Sequence, residues 1–194
     1  MRIDDAEMIL VGIGDAFEEK EDAIKCYNLL AEKLDKKNYF VISMCMDDSI
    51  FESNLKQDRI VAPLGGKRKK QCPDACENKL FDVTETECPI CHKELVYNNV
   101  LCENYIEDGY MPMWEKQRLW LTGTMNKKLL LMELGVSMKF PQIIRWPFER
   151  LALLNNKAFL LRVNDKLWQL PEEIGKDNKG EAVKESPLKY IELL

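Results

Sequence analysis

The apolar residues of this chain gather in short, nearly unbroken runs rather than in alternating ones. Glu7-Met-Ile-Leu-Val-Gly12, Tyr39-Phe-Val-Ile-Ser-Met44, Leu129-Leu-Leu-Met-Glu-Leu-Gly-Val136 and Ala158-Phe-Leu-Leu-Arg-Val163 are each of strand length. A strand that is apolar on both sides must be covered on both sides, which is the situation inside a parallel sheet. Between the first two runs the period changes. Asp22 to Asp35 puts Ile24, Tyr27, Ala31 and Leu34 on one helical face, and the cations of Lys36-Lys37-Asn38 suit its negative end. Arg59-Ile-Val-Ala62 is a weaker strand, stopped by Pro63-Leu64-Gly65-Gly66. Pro112 opens a helix through Trp114 and Trp120, and Pro147 opens another through Leu151 and Leu154. Ser186-Pro187 reads as an N-cap and first-turn proline for a closing helix, Leu188 to Leu194. Strands alternating with helices predict an α/β fold built on a doubly wound parallel sheet.

One stretch breaks the alternation. From Cys72 to about Cys102 the chain turns polar, and it carries Cys72-Pro-Asp-Ala-Cys76 and Cys88-Pro-Ile-Cys91 with eleven residues between the pairs. Two close thiol pairs joined by a short loop are what a tetrahedral zinc ion needs, each pair gripping one side. Four sulfurs close the coordination shell and leave no position for water, so the metal is expected to be structural. The predicted organisation is one domain from 1–66 and 103–194, with 67–102 inserted as a zinc-binding module.

With 194 residues and ordinary apolar and charged fractions, the chain has enough material for one domain of usual size. A net charge of −5 argues against nucleic acid as a partner. The run Lys67-Arg68-Lys69-Lys70 is a local exception and reads as a solvated basic turn. No apolar run reaches membrane-spanning length, and Met1-Arg2-Ile3-Asp4-Asp5 is unlike a secretion signal. Seven cysteines in that context point to a reducing, cytoplasmic compartment with metal-bound or free thiols.

In a parallel α/β sheet the ligand lies outside the carboxyl ends of the strands. Three predicted strand ends carry small or polar residues: Gly12-Ile13-Gly14, Gly135-Val136-Ser137 and Asn164. Small residues let a backbone approach a phosphate closely, and a following helix presents its positive end. Gly12, Gly14, Gly135, Ser137 and Asn164 are therefore the candidate nucleotide-binding set.

The segment Leu129-Leu-Leu-Met-Glu-Leu-Gly-Val-Ser-Met-Lys-Phe-Pro-Gln-Ile-Ile-Arg-Trp-Pro-Phe148 resembles the sirtuins, the NAD-dependent protein deacylases and ADP-ribosyltransferases, and most of all their microbial macrodomain-associated branch. Tyr27-Asn28-x-Leu30, Lys37-Asn-Tyr-Phe-Val-Ile42, the paired knuckles and Val163-Asn164 are similar in the same order. The resemblance implies a Rossmann-type domain with a small zinc-binding module and NAD or ADP-ribose as ligand. The family's Thr-x-Asn-x-Asp strand end matches Ser43-Met44-Cys45-Met46-Asp47, which adds Asp47 to the candidate set and puts Cys45 where asparagine is expected.

The departures bear on activity. Gly12-Ile13-Gly14-Asp15-Ala16 runs almost directly into the Asp22 helix, without the family's long cofactor-binding segment. Asp15, Glu18, Glu19 and Glu21 stand where a pyrophosphate would sit, at about 1 kcal/mol or more for each close pair of like charges. Aligning Gly65 with the glycine before the first zinc cysteine puts Leu64 in the slot held by histidine or glutamine in the family. Leucine neither takes a proton from a ribose hydroxyl nor bonds to it. The sole histidine, His92, follows a zinc cysteine and reads as an exposed knuckle residue. Cys45, lacking a histidine partner, reads as a small buried thiol, Glu133 as an acid with a buried polar partner, and Trp114, Trp120, Trp146 and Trp168 as packing residues. The favoured reading is a sirtuin-like protein that binds NAD or an ADP-ribose-type nucleotide without the usual catalytic residues. The alternatives are an active NAD-dependent ADP-ribosyltransferase or deacylase, and an interaction protein that binds a protein partner but no nucleotide.

Overall fold

The computed structural model describes residues 1–194. In chain order its regular elements are β1 (Met8–Ile13), α1 (Ala23–Leu34), β2 (Asn38–Ser43), β3 (Ile60–Val61), β4 (Gly65–Gln71), β5 (Leu80–Phe81) and β6 (Val96–Asn99). There follow α2 (Met111–Thr122), β7 (Leu129–Leu134), α3 (Arg145–Leu154), β8 (Ala158–Val163), α4 (Glu172–Lys176), β9 (Gly180–Val183) and α5 (Pro187–Glu192). Six strands make one sheet in the order β3-β2-β1-β7-β8-β9, and every pair in it is parallel. Numbered among themselves, these six run 3-2-1-4-5-6, the order of the dinucleotide-binding doubly wound sheet. The predicted α/β architecture is therefore what the chain adopts, and the winding reverses at the β1–β7 pair.

Alternate side chains of each strand leave on opposite faces, and the two faces feed two cores. Ile9, Val11 and Ile13 of β1 pack with Tyr27, Leu30 and Leu34 of α1, and Ile191 of α5 joins them. Leu10 packs on the other face with Phe40, Leu131 and Leu160, under Ile144 and Phe148 at and in α3. This explains the unbroken apolar runs: each strand needs both sets. Gly12 lets α3 come down onto β1, since a Cβ there would lie 2.4 Å from Ile144 Cγ2.

The same face holds a buried charge cluster. Glu133 of β7 is 1% exposed and sits between Arg145 and Arg162, each with Nη2 at 2.8 Å from one carboxylate oxygen. Arg162, also 1% exposed, reaches Glu149 at 2.7 Å and donates to Gln169 O, while Arg145 donates to Val136 O and Leu167 O. The buried polar partner expected for Glu133 is thus a pair of guanidinium groups. Arg162 donates aligned hydrogen bonds to Glu133 Oε2 and Glu149 Oε1, whereas Glu133 Oε1 and the Nε atoms of both arginines have none, so the Arg145 contact rests on charge alone.

The polar stretch forms its own antiparallel sheet, β5-β4-β6, with a small core of Cys72, Phe81, Cys88 and Leu95. Its centre corrects one expectation: Lys67 to Lys70 lie in β4, a strand, not in a turn. Lys67, Arg68 and Lys69 are all exposed, because a sheet this small has no second layer to bury them. Trp146 is a second correction, since it is 54% exposed on the outer side of α3 instead of packed inside. The closing helix is shorter than expected, ending at Glu192, and Ser186 makes no side-chain cap bond. The sequence reading did not find α4 or β9. They are five and four residues long, and β9 is a half-exposed edge strand with no apolar run to mark it.

Candidate functional site

The loops after β1 and β7 meet at the reversal point. Gly14 N–H donates to Leu134 O at 2.8 Å and Ala16 N–H to Gly135 O at 3.2 Å. A Cβ on Gly14 would lie 2.1 Å from Gly135 O, so only glycine fits. Gly135 has φ +64°, the left-handed region that glycine enters without a Cβ penalty. Asp15 then closes the junction by accepting from Ser137 N–H at 3.2 Å and Ser137 Oγ–H at 2.9 Å. Asn164 ties in the third loop, donating to Val136 O and accepting from the N–H groups of Lys166 and Leu167. Gly14, Gly135, Ser137 and Asn164 are therefore brought together, whereas Gly12 lies one step below, facing Ile144 and Phe148.

The end of β2 completes the floor. Cys45 is buried, with its Sγ 3.4 Å from Gly14 O and 3.7 Å from the Tyr27 hydroxyl. Burial pushes its thiol up to about 12, so it stays protonated and is a poor nucleophile. Asp47 accepts from Glu19 N–H at 2.7 Å and from both the N–H and Oγ–H of Ser49. Glu18 accepts from Met46 N–H at 2.8 Å, and burial holds its carboxyl above the ordinary value despite that bond. The short acidic loop thus folds back across the β2 end, clamped by carboxylate bonds to backbone N–H groups.

What remains open is a cavity of about 340 Å³ at the strand ends. Three carboxylates (Asp15, Glu18, Glu19) and one ammonium (Lys139) line it, with Met44, Met46, Leu64 and Phe140 as its apolar wall. Leu64 is buried at the wall, at the position where the resemblance places a proton-handling side chain. Neither imidazole nor carboxamide lines this cavity. Both oxygens of Asp15 are taken by Ser137, and Glu18 keeps one oxygen free of N–H partners. The sequence reading identified the acidic loop and Leu64. It missed Met44, Met46, Lys139 and Phe140, whose only signal is their place just past β2 and β7.

The second candidate centre is the cysteine cluster. The sulfurs of Cys72, Cys76, Cys88 and Cys91 all lie within 4.8 Å of one another, with Cys72 to Cys76 at 3.6 Å and Cys72 to Cys91 at 3.4 Å. A tetrahedral ion with bonds of about 2.3 Å sets sulfur–sulfur edges near 3.8 Å, so the donor set fits zinc. Burial opposes ionisation of Cys72, yet the backbone N–H groups of Cys76 and Asp74 and the neighbouring thiols bring it down to about 7. Contact with Cys72 in turn pushes Cys76 up to about 12, and Cys91 is raised as well, so one thiol of the cluster ionises readily while these two hold their protons. The chain turns tightly at both knuckles, through left-handed Ala75, Glu77 and Asn78 at one and His92 at the other. His92 itself is exposed and bonds Glu87 at 2.6 Å, away from the sulfurs.

No family model matches the chain. Over 89 residues it is 26% identical to a protein of Staphylococcus aureus (strain Mu50 / ATCC 700699) named "Protein ADP-ribosyltransferase". That stretch is 45% of this chain and 28% of the relative, so the likeness spans little more than a quarter of the longer protein. Among solved structures, a mutant Sir2 homologue in complex with 2'-O-acetyl ADP ribose superposes with a TM-score of 0.60 and 10% identity. The superposition covers 98% of this chain and 91% of that one. At that identity the likeness is one of fold, and the fold of this chain is that of the sirtuins.

Proposed function

We propose that this chain is a sirtuin-fold binding protein without deacylase or transferase chemistry. In this reading zinc is held by Cys72, Cys76, Cys88 and Cys91 as a structural ion, with 67–102 as its inserted module. The strand-end cavity takes the ribose end of an ADP-ribose-type nucleotide. Gly14, Asp47, Gly135, Ser137 and Asn164 shape the loops that surround it, and Gly12 sets the approach of α3. The observation that carries the reading is Leu64 in the cavity wall, an apolar side chain where the reaction needs a proton acceptor or hydrogen-bond partner.

The carboxylates define what could enter. They accept hydrogen bonds from ribose hydroxyls, as an acidic residue does in other dinucleotide folds. A pyrophosphate would meet Asp15, Glu18 and Glu19 with Lys139 alone to offset them. Ribosides without phosphate, the cationic nicotinamide riboside above all, should therefore bind more tightly than ADP-ribose, and NAD should bind weakly.

Titration calorimetry with nicotinamide riboside, ADP-ribose and NAD tests the binding part. Absence of heat with all three removes the nucleotide and leaves the reading of a protein that acts through protein partners. A second reading, an active ADP-ribosyltransferase, has in its favour the name of the S. aureus relative. Incubation with NAD decides between them: nicotinamide release above the no-protein background overturns the non-catalytic proposal.

A further inference from the structure

The larger cavity lies elsewhere, between the β3 edge of the main sheet, strand β4 of the small sheet and helix α2. It encloses about 460 Å³, within the range of small-molecule sites. Two cationic residues of β4, Arg68 and Lys69, line it, and neither has a carboxylate within ion-pair distance. The Arg68 guanidinium sits over the Phe51 ring, its Cζ 4.1 Å from the ring centre, a cation–π contact that helps to hold it in place. Asp48 also lines the cavity, but its carboxylate is committed to the backbone N–H groups of Lys67 and Arg68. Its charge is shared between those N–H groups and the nearby Arg68, with which it forms no direct ion pair.

The wall opposite the cations offers a free hydrogen-bond acceptor and a flat ring. Asn98 is 4% exposed, and its Nδ2 donates to Gln71 Oε1 at 2.6 Å and to Ile106 O at 2.9 Å. Its Oδ1 accepts no hydrogen bond from the protein, although both Asn98 and Gly109 border the cavity. The atom stays open to solvent at the cavity wall, so it is an acceptor that a ligand can use. The space before it is kept clear by Gly109, where a Cβ would come within 2.9 Å of Asn98 Oδ1. Tyr110 forms a flat wall, stacked on Tyr105 at 6.1 Å.

We propose that this cleft is a binding site for a small planar molecule that carries one phosphate or carboxylate. Arg68 and Lys69 take the anion, the ring of Tyr110 takes the plane, and Asn98 Oδ1 accepts an N–H or O–H of the ligand. This site is separate from the strand-end cavity: it shares no lining residue with it and carries the opposite charge. Its test is therefore independent of the fate of the ribose proposal.

The experiment is backbone-amide NMR of the zinc-loaded full chain, titrated with adenosine 5′-monophosphate, adenosine and 4-hydroxybenzoate. The expected result is saturable shifts at Arg68, Lys69 and Gly109 with the monophosphate or the hydroxybenzoate, the arm that binds naming the anion. Adenosine alone should bind at least about tenfold more weakly than its monophosphate if phosphate is the anion, since charge-assisted bonds carry the affinity. Arg68→Ala with Lys69→Ala should weaken binding by about tenfold or more while the melting temperature holds, because both side chains are exposed. Gly109→Ala, which blocks Asn98 Oδ1 and leaves the charges alone, should weaken it as well. The proposal is overturned if neither anion shifts those amides at low millimolar concentration, or if binding survives the double substitution. Shifts confined to Met46, Leu64 and Lys139 would also overturn it, since they place the ligand in the other cavity.

Discussion

Replacing Glu133 by alanine tests the buried charge cluster most directly. The carboxylate lies 2.8 Å from Arg145 on one oxygen and 2.8 Å from Arg162 on the other, with all three side chains at most 8% exposed. At an effective dielectric of about 20 each contact is worth roughly 4 kcal/mol before desolvation is subtracted. Removing the acid leaves two guanidinium groups in the interior, a situation that typically costs about 3–5 kcal/mol. Residual partners pull the estimate to the lower end. Arg162 keeps Glu149 and Gln169 O, and Arg145 keeps Val136 O and Leu167 O. The expected loss is therefore about 3 kcal/mol, or roughly 6–12 °C in melting temperature for a chain of this size. Urea unfolding followed by circular dichroism measures it. The triple variant Glu133→Leu with Arg145→Met and Arg162→Met should recover a large part of the loss, because apolar replacement of a whole buried charge cluster is often neutral. A cost below about 1 kcal/mol for Glu133→Ala would show that water reaches the cluster and that the burial argument is wrong.

Three further outcomes are expected. Elemental analysis of protein prepared without chelator should give close to one zinc per chain, and Cys88→Ser should lose the metal together with several kcal/mol of stability; a metal-free yet equally stable wild type would refute the site. Iodoacetamide near neutral pH should label Cys102 in the native protein and spare Cys45, whose thiol burial pushes up to about 12, with peptide mass spectrometry as the readout. Burial, aided by the nearby Asp47 and Glu19 charges, holds Glu18 above its ordinary value of 4.5, against the Met46 N–H bond. A raised folded value favours the fold below the unfolded one and loses that contribution as pH rises through the folded value. Glu18→Gln should then gain stability relative to the wild type between about pH 4 and 7, and a constant difference across that range would contradict the assignment.

The central sheet was legible because its strands are buried on both sides, which leaves an apolar run no surface element produces. The cysteine spacing was legible because metal geometry fixes it. Other parts were hidden for definite reasons. Strand β4 carries Gly65-Gly-Lys-Arg-Lys-Lys-Gln71, a sequence with no apolar stripe, because the thiol cluster takes over the work that a second layer does elsewhere. Strand β9 is short and half exposed, so neither period nor apolar content marks it. At the strand ends, the glycines were visible but their duties were not. Gly14 is required by the close approach of Gly135, and Gly12 by the packing of α3, distances that only the assembled sheet defines. Asn98 gave no sign in sequence, since an amide oxygen open to a cavity is recognisable only when its surroundings are known.

The pairing of β1 with β7 has a consequence for synthesis. Met8 lies beside Leu129, so the strand at the middle of the sheet waits for a neighbour some 120 residues downstream. At about 5–20 residues per second a ribosome needs on the order of ten seconds to deliver it. Throughout that delay the nascent β1–β2 pair presents a bare, fully apolar flank. The thiol-bearing segment emerges in the interval and closes through its own short-range pairs, so the small sheet can form before the large one is complete. The small sheet is therefore the first part of this polypeptide able to finish folding, while the large one stays open to aggregation until its fourth strand arrives.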